Sequence, residues 1–170
     1  YFDQGLRLYW AFNHAEAVRS FEEAERLDSA CAMCAFGQAL ALGPNINAPM
    51  DSAAGAQAWA TVRRAEGLAG AGERERAMIA ALRERYDPAR PRAAADTAWT
   101  RAIGALADRY PEDLELQALH AEAIMDRSPW RYWTPEGEAR PETPAALARI
   151  ERVLAANPNH AGGCHLLIHA

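Results

Sequence analysis

Gly5 and Gly37 stand 32 residues apart, each at the same place in an apolar pattern of helical period. The stretch that begins with the first of them constrains the fold more than any other. From Tyr1 to about Ala11, Phe2, Leu6 and Tyr9 or Trp10 recur at the spacing of a helix. After a turn at Asn13-His14, a second helix from His14 to about Leu27 carries Ala17, Phe21 and Ala24 on one face. Asn13 is a residue type that caps helix starts, and Glu16, three residues on, is its capping-box partner. A hairpin of this kind buries one face only. It needs another hairpin stacked against it.

The rest of the chain supplies more helices. A third is expected from about Ala30 to Leu42, with Met33, Phe36, Gly37 and Leu40. Gly43 to Met50 holds two prolines and a glycine and cannot continue it. Asp51-Ser52 then opens a long Ala-rich helix to about Leu68, and Gly67, Gly70 and Gly72 mark the break before a fifth helix, Glu73 to Tyr86. A sixth runs from about Ala93 to Arg109 and a seventh from about Glu112 to Met125. A long loop, Asp126 to Glu142, precedes an eighth helix that starts at Thr143-Pro144, a good cap and first-turn pair. A ninth starts near Asn159. No linker or low-complexity stretch interrupts the series, so residues 1–170 read as one domain. The chain does not start with Met and ends within an apolar helical pattern, and so reads as a fragment of a longer chain.

Composition agrees with packed helices. Half the residues are hydrophobic, many of them Ala, and aromatics are only 8%. Ala favours helix and lets helices approach closely. The net charge of −5, with 18 Lys and Arg scattered among acids on helix faces, argues against a nucleic-acid surface. No apolar run reaches the ~20 residues of a membrane span. The expected compartment is cytoplasmic or periplasmic.

A repeat of about 34 residues, with Gly and small residues where two helices cross, is the tetratricopeptide signature. Gly5, Ala17, Phe21 and Ala24 match it, and the chain resembles the tetratricopeptide repeat (TPR) family. Ser29 stands where that pattern has Pro. Trp99, Ile103, Leu106 and Pro111, and again Ala146, Ile150, Val153 and Pro158, follow the second-helix pattern. The blocks FNHAEA, LDSACAMC, ALGPNIN, HAEAIMD with PWRYW, and NPNHAGGCHLLIHA also resemble bacterial TPR-containing proteins of unassigned function. The resemblance implies an all-α, right-handed solenoid of stacked antiparallel hairpins, but no reaction.

Two function classes are carried forward. The first is a scaffold that binds a peptide or protein partner in a concave groove, lined or gated by Asn45, Asn47, Trp130, Tyr132 and Trp133. Trp and Tyr supply rigid area with a polar tip and are enriched in binding hot spots. The alternatives are that the Asn side chains satisfy their own loop backbone, and that the aromatics fold back over a groove beside the seventh helix. The second class is a metal-binding protein, which leaves enzymatic activity an open question. His165 and His169 are four apart on a helix, the spacing that presents two nitrogen ligands to one zinc, copper or iron. His160 at the helix start or His120 on the seventh helix would complete the set, with a carboxylate one turn past His169 as a further ligand. Against it stands packing of both imidazoles in the helix groove. Cys31 and Cys34 have redox spacing but follow no strand, and are expected as small buried thiols. His14 is expected at the solvent side of its turn or as a capping residue.

Overall fold

The computed structural model describes residues 1–68 and 70–170, and those residues form nine helices and no strand. They are α1 (Phe2–Trp10), α2 (His14–Leu27), α3 (Ala32–Ala41), α4 (Ser52–Glu66), α5 (Glu73–Tyr86), α6 (Arg92–Arg109), α7 (Leu114–Met125), α8 (Thr143–Ala156) and α9 (Ala161–His169). All nine were expected, with ends displaced by at most about two residues, as fraying ends are. None of the described helices is long and apolar enough to cross a membrane.

The described residues divide into two compact units, a finer division than the single domain read from sequence. One comprises Tyr1–Gly43 and Met50–Ala95; the other comprises Pro44–Pro49 and Asp96–Ala170. In the first unit each of α1 to α4 packs on its successor, and α3 also packs on α1 and α5. Phe21 of α2 is its pivot, 1% exposed. A Cβ at Gly5 would lie 2.8 Å from the Phe21 ring, and one at Gly37 2.6 Å from it. Glycine at those two places therefore lets α1 and α3 close on the same ring from two sides. Phe2 meets Phe21 edge to face at 5.5 Å, which fills the remaining side. The Tyr86 hydroxyl donates to the Ala39 carbonyl at 2.6 Å and ties α5 to α3.

The expected capping box at α2 does not form. Asn13 makes no side-chain cap hydrogen bond, and Glu16 instead pairs with Arg19 one turn along. The Asn13 amide that a capping box would use already donates to the Leu8 carbonyl at 2.9 Å, which leaves the Glu16 carboxylate to Arg19. His14 is not at the solvent side: it is half-buried, with its ring 5.3 Å from Tyr9 and 5.4 Å from Phe12.

In the second unit α7 packs on α8, and both pack on α9. Gln117 on α7, fully buried, donates to the Ala107 carbonyl of α6 at 2.7 Å and accepts from Arg149 of α8 at 2.6 Å. Thr100 of α6 donates to the Ala123 carbonyl of α7 at 3.0 Å. Gly163 gives α9 its approach to α8: a Cβ there would lie 2.9 Å from Leu154 and 3.0 Å from Val153. These contacts fix the two ends of the 126–142 loop, between α7 and α8, relative to α9.

Candidate functional site

The 126–142 loop is folded back on itself, with an isolated bridge between Trp133 and Ala139. Tyr132 is its anchor, 6% exposed, with its hydroxyl donating to the Met125 carbonyl at 3.4 Å. Its own carbonyl accepts from the Arg140 amide at 2.9 Å and from the Thr143 hydroxyl at 2.6 Å. Burial pushes its phenol up to about 12, so it stays protonated at any ordinary pH. Tyr132 thus folds back to build the loop, one of the two alternatives the sequence left open for it; an aromatic between two tryptophans carries no mark of which one turns inward.

The two tryptophans face outward. Trp130 is 60% exposed and Trp133 43% exposed. Trp130 holds a φ of +61, a conformation that costs an L residue with a Cβ roughly 1 kcal/mol or more. That turn sets its indole edge-on to His169, 5.0 Å between ring centres. Trp133 donates through Nε1 to the Ala170 carbonyl. The loop and the end of α9 therefore form one surface. Beside them opens a cavity of about 380 Å³ floored by Ile124, Met125, Tyr132 and Ala146. Its rim carries Arg140, which is exposed, and an Arg127–Glu142 ion pair. Of these rim and floor residues only Tyr132 was a candidate site residue in the sequence, because the others come from α7, the loop and α8 and converge only through the fold.

The four histidines fall into two kinds. His165 and His169 converge as their spacing requires, with Nε2 atoms 2.9 Å apart. One ring must donate its N–H to the other when both are neutral. Burial holds the His169 pKa below its ordinary value, and a charge on His165 would lower it further. His160 and His120 serve elsewhere. His160 caps α9, its Nδ1 accepting from the Gly163 amide at 3.1 Å, and its Nε2 lies 3.2 Å from Glu115 on α7. His120 lies on Gly104 of α6, where a Cβ would come within 2.7 Å of its Nε2. Its Nδ1 is buried with no hydrogen-bond partner among the described residues. Burial lowers its pKa to about 4; nearby Arg149 lowers it too, and Asp108 partly offsets this. Among the described residues no group of three or more His, Cys, Asp or Glu side chains is placed to hold a metal.

In the 44–49 loop, Asn45 Oδ1 accepts from the amides of Asn47 at 2.9 Å and Ala48 at 3.1 Å. The Asn45 side chain is thus spent on its own turn. Asn47 is exposed, and Ile46 is buried at 2% and fastens the loop.

The cysteines depart from the expectation of free buried thiols. Cys31 and Cys34 form a disulfide at the start of α3, with Cα atoms 5.3 Å apart. Three residues apart at a helix start is a separation a disulfide spans, so the spacing carried the signal. Reading it as helix-interior packing missed it, because Cys31 lies just before the helix rather than inside it. Cys164 is free and exposed.

The chain matches no family model, no curated protein and no solved structure.

Proposed function

We propose that this chain is a TPR-like helical-repeat scaffold whose second unit binds a peptide segment of a partner protein at the 126–142 loop. The observation that carries the reading is the pair of exposed indoles, Trp130 and Trp133, held on a loop whose own core is filled by Tyr132. A rigid loop presents aromatic area without a large ordering cost on binding. The adjoining cavity suits one large apolar side chain, and exposed Arg140 suits a carboxylate next to it. The preferred ligand is therefore an extended segment with an apolar anchor and an acidic neighbour. The successive packing of α1 to α5 supports the TPR-like reading.

The test is selection of peptides from a random library on the full chain, followed by titration. Trp130→Ala and Trp133→Ala are expected to weaken the selected peptides by roughly tenfold or more each, as hot-spot truncations do. Peptides that bind the double variant as tightly as the parent would sink the reading.

A second reading rests on His165 and His169. Two imidazoles on one metal at ~2.0–2.1 Å have nitrogens roughly 3.3 Å apart, close to the 2.9 Å found here. The pair would supply two of the ligands for a zinc, copper or iron ion. Metal analysis after reconstitution decides it: a stoichiometric ion lost in His165→Ala/His169→Ala is expected, and no bound ion at micromolar metal ends it.

A further inference from the structure

The Cys31–Cys34 disulfide adds little to the architecture. It closes a loop of four residues within the first turn of α3, where backbone hydrogen bonds, Cys34 N–H to the Cys31 carbonyl at 3.1 Å among them, already hold the chain. A cross-link stabilises more the longer the loop it closes, growing as the logarithm of loop length, and this loop is near the smallest a disulfide can close. Its two sulfurs are unequal in a way that matters for chemistry. Cys31 is partly exposed at the N-cap, and Cys34 is 2% exposed. The Cys34 amide donates to Cys31 Sγ at 3.2 Å, at the positive end of a helix of ten residues. Backbone N–H groups aimed at a sulfur favour its thiolate, the nucleophilic form.

We infer that Cys31 and Cys34 are a redox-active pair that exchanges electrons with a dithiol, Cys31 being the sulfur attacked and attacking, and Cys34 the resolving one. In the reductive direction a thiolate of the dithiol attacks Cys31 Sγ. The Cys31–Cys34 bond breaks, and Cys34 leaves as a thiolate and takes up a proton. The dithiol's second sulfur, as thiolate, then attacks its own first sulfur in the mixed disulfide and releases Cys31 as thiolate. The chain gains two electrons, and the dithiol leaves as a disulfide. The reverse sequence oxidises the pair at the expense of a partner disulfide. The inference does not rest on the peptide-binding reading and concerns the other unit.

The experiment uses the full chain carrying Cys164→Ser, which removes the exposed third thiol. The folded, oxidised protein is incubated with dithiothreitol, or with reduced thioredoxin as a protein dithiol, and new thiols are counted by alkylation while helicity is followed by circular dichroism. Reduction of the pair with helicity retained is expected, and faster reduction by thioredoxin at equal thiol concentration would identify a protein dithiol as the partner class. Thiols that appear only as helicity is lost would overturn the inference. In a second arm, Cys34→Ser and Cys31→Ser are each treated with glutathione disulfide. The adduct at Cys31 is expected to form about tenfold faster or more than that at Cys34. Equal rates would also overturn the assignment. Should either variant fold poorly, partial reduction and stepwise alkylation of the parent read the same asymmetry.

Discussion

At the scale of single residues, Phe21 and the glycines around it carry the first unit. A ring that is 1% exposed and contacted from two helices leaves a large void when removed. Phe21→Ala is expected to cost about 3–5 kcal/mol. Gly37→Ala tests the converse, since its new methyl would start 2.6 Å from the ring and must displace it. The expected loss is about 1–3 kcal/mol. Urea denaturation with unchanged slope is the measurement for both, and a neutral Gly37→Ala would show that α3 can shift without loss. Helical apolar spacing in the sequence picked out Gly5, Phe21 and Gly37, and in the fold they meet at one close approach. The sequence left open whether Trp130, Tyr132 and Trp133 face a partner or fold back. Which of two neighbouring aromatics turns inward depends on the carbonyl of Met125 at the end of α7, the hydroxyl of Thr143 at the start of α8 and the ring of His169 on α9, groups that only the fold brings to the loop.

At the scale of elements, helix ends decide what the side chains near them can do. His160 is a residue that sequence reasoning offered as a metal ligand and that the fold uses as the cap of α9. His160→Ala is expected to lose about 1 kcal/mol, with faster amide exchange at Gly163, while His160→Asn keeps most of it, since Asn is a strong N-cap residue. If Ala and Asn behaved alike, the contact with Glu115 rather than the cap would be what matters. Reduction of Cys31–Cys34 at the start of α3 is expected to lower stability by no more than about 2 kcal/mol, given a loop of four residues. A larger loss in chemical denaturation of the reduced protein would make the bridge a structural staple.

At the scale of the whole molecule, protonation links the histidines to stability. His120 has its pKa at about 4 in the fold and an ordinary value of 6.5 when unfolded. The unfolded chain therefore binds more protons between those values, and stability must rise with pH across them. Its contribution is complete above about pH 6.5 and is lost as pH falls towards 4. His169 is shifted in the same direction and adds to the same trend. A melting temperature that falls on acidification through this window is expected, with a shallower fall in His120→Gln. An unchanged profile in that variant would mean that the ring is solvated well enough to protonate in place.

The sequence by itself determined the all-helical class, the number of helices among the described residues and the helix ends it placed, to within about two residues. Those follow from apolar period, caps and Pro or Gly breaks, interactions that reach no further than one helical turn. It also determined that His165 and His169 would face one point, for the same reason. Only the tertiary structure decided that His120 would lie on Gly104 and His160 beside Glu115, that Tyr132 would be core while Trp130 and Trp133 stayed at the surface, and that a cavity would open beside them. Each of these depends on a partner on another element or at the end of a neighbouring helix. A side chain's own neighbours in sequence do not encode which distant carbonyl, ring or glycine will stand opposite it.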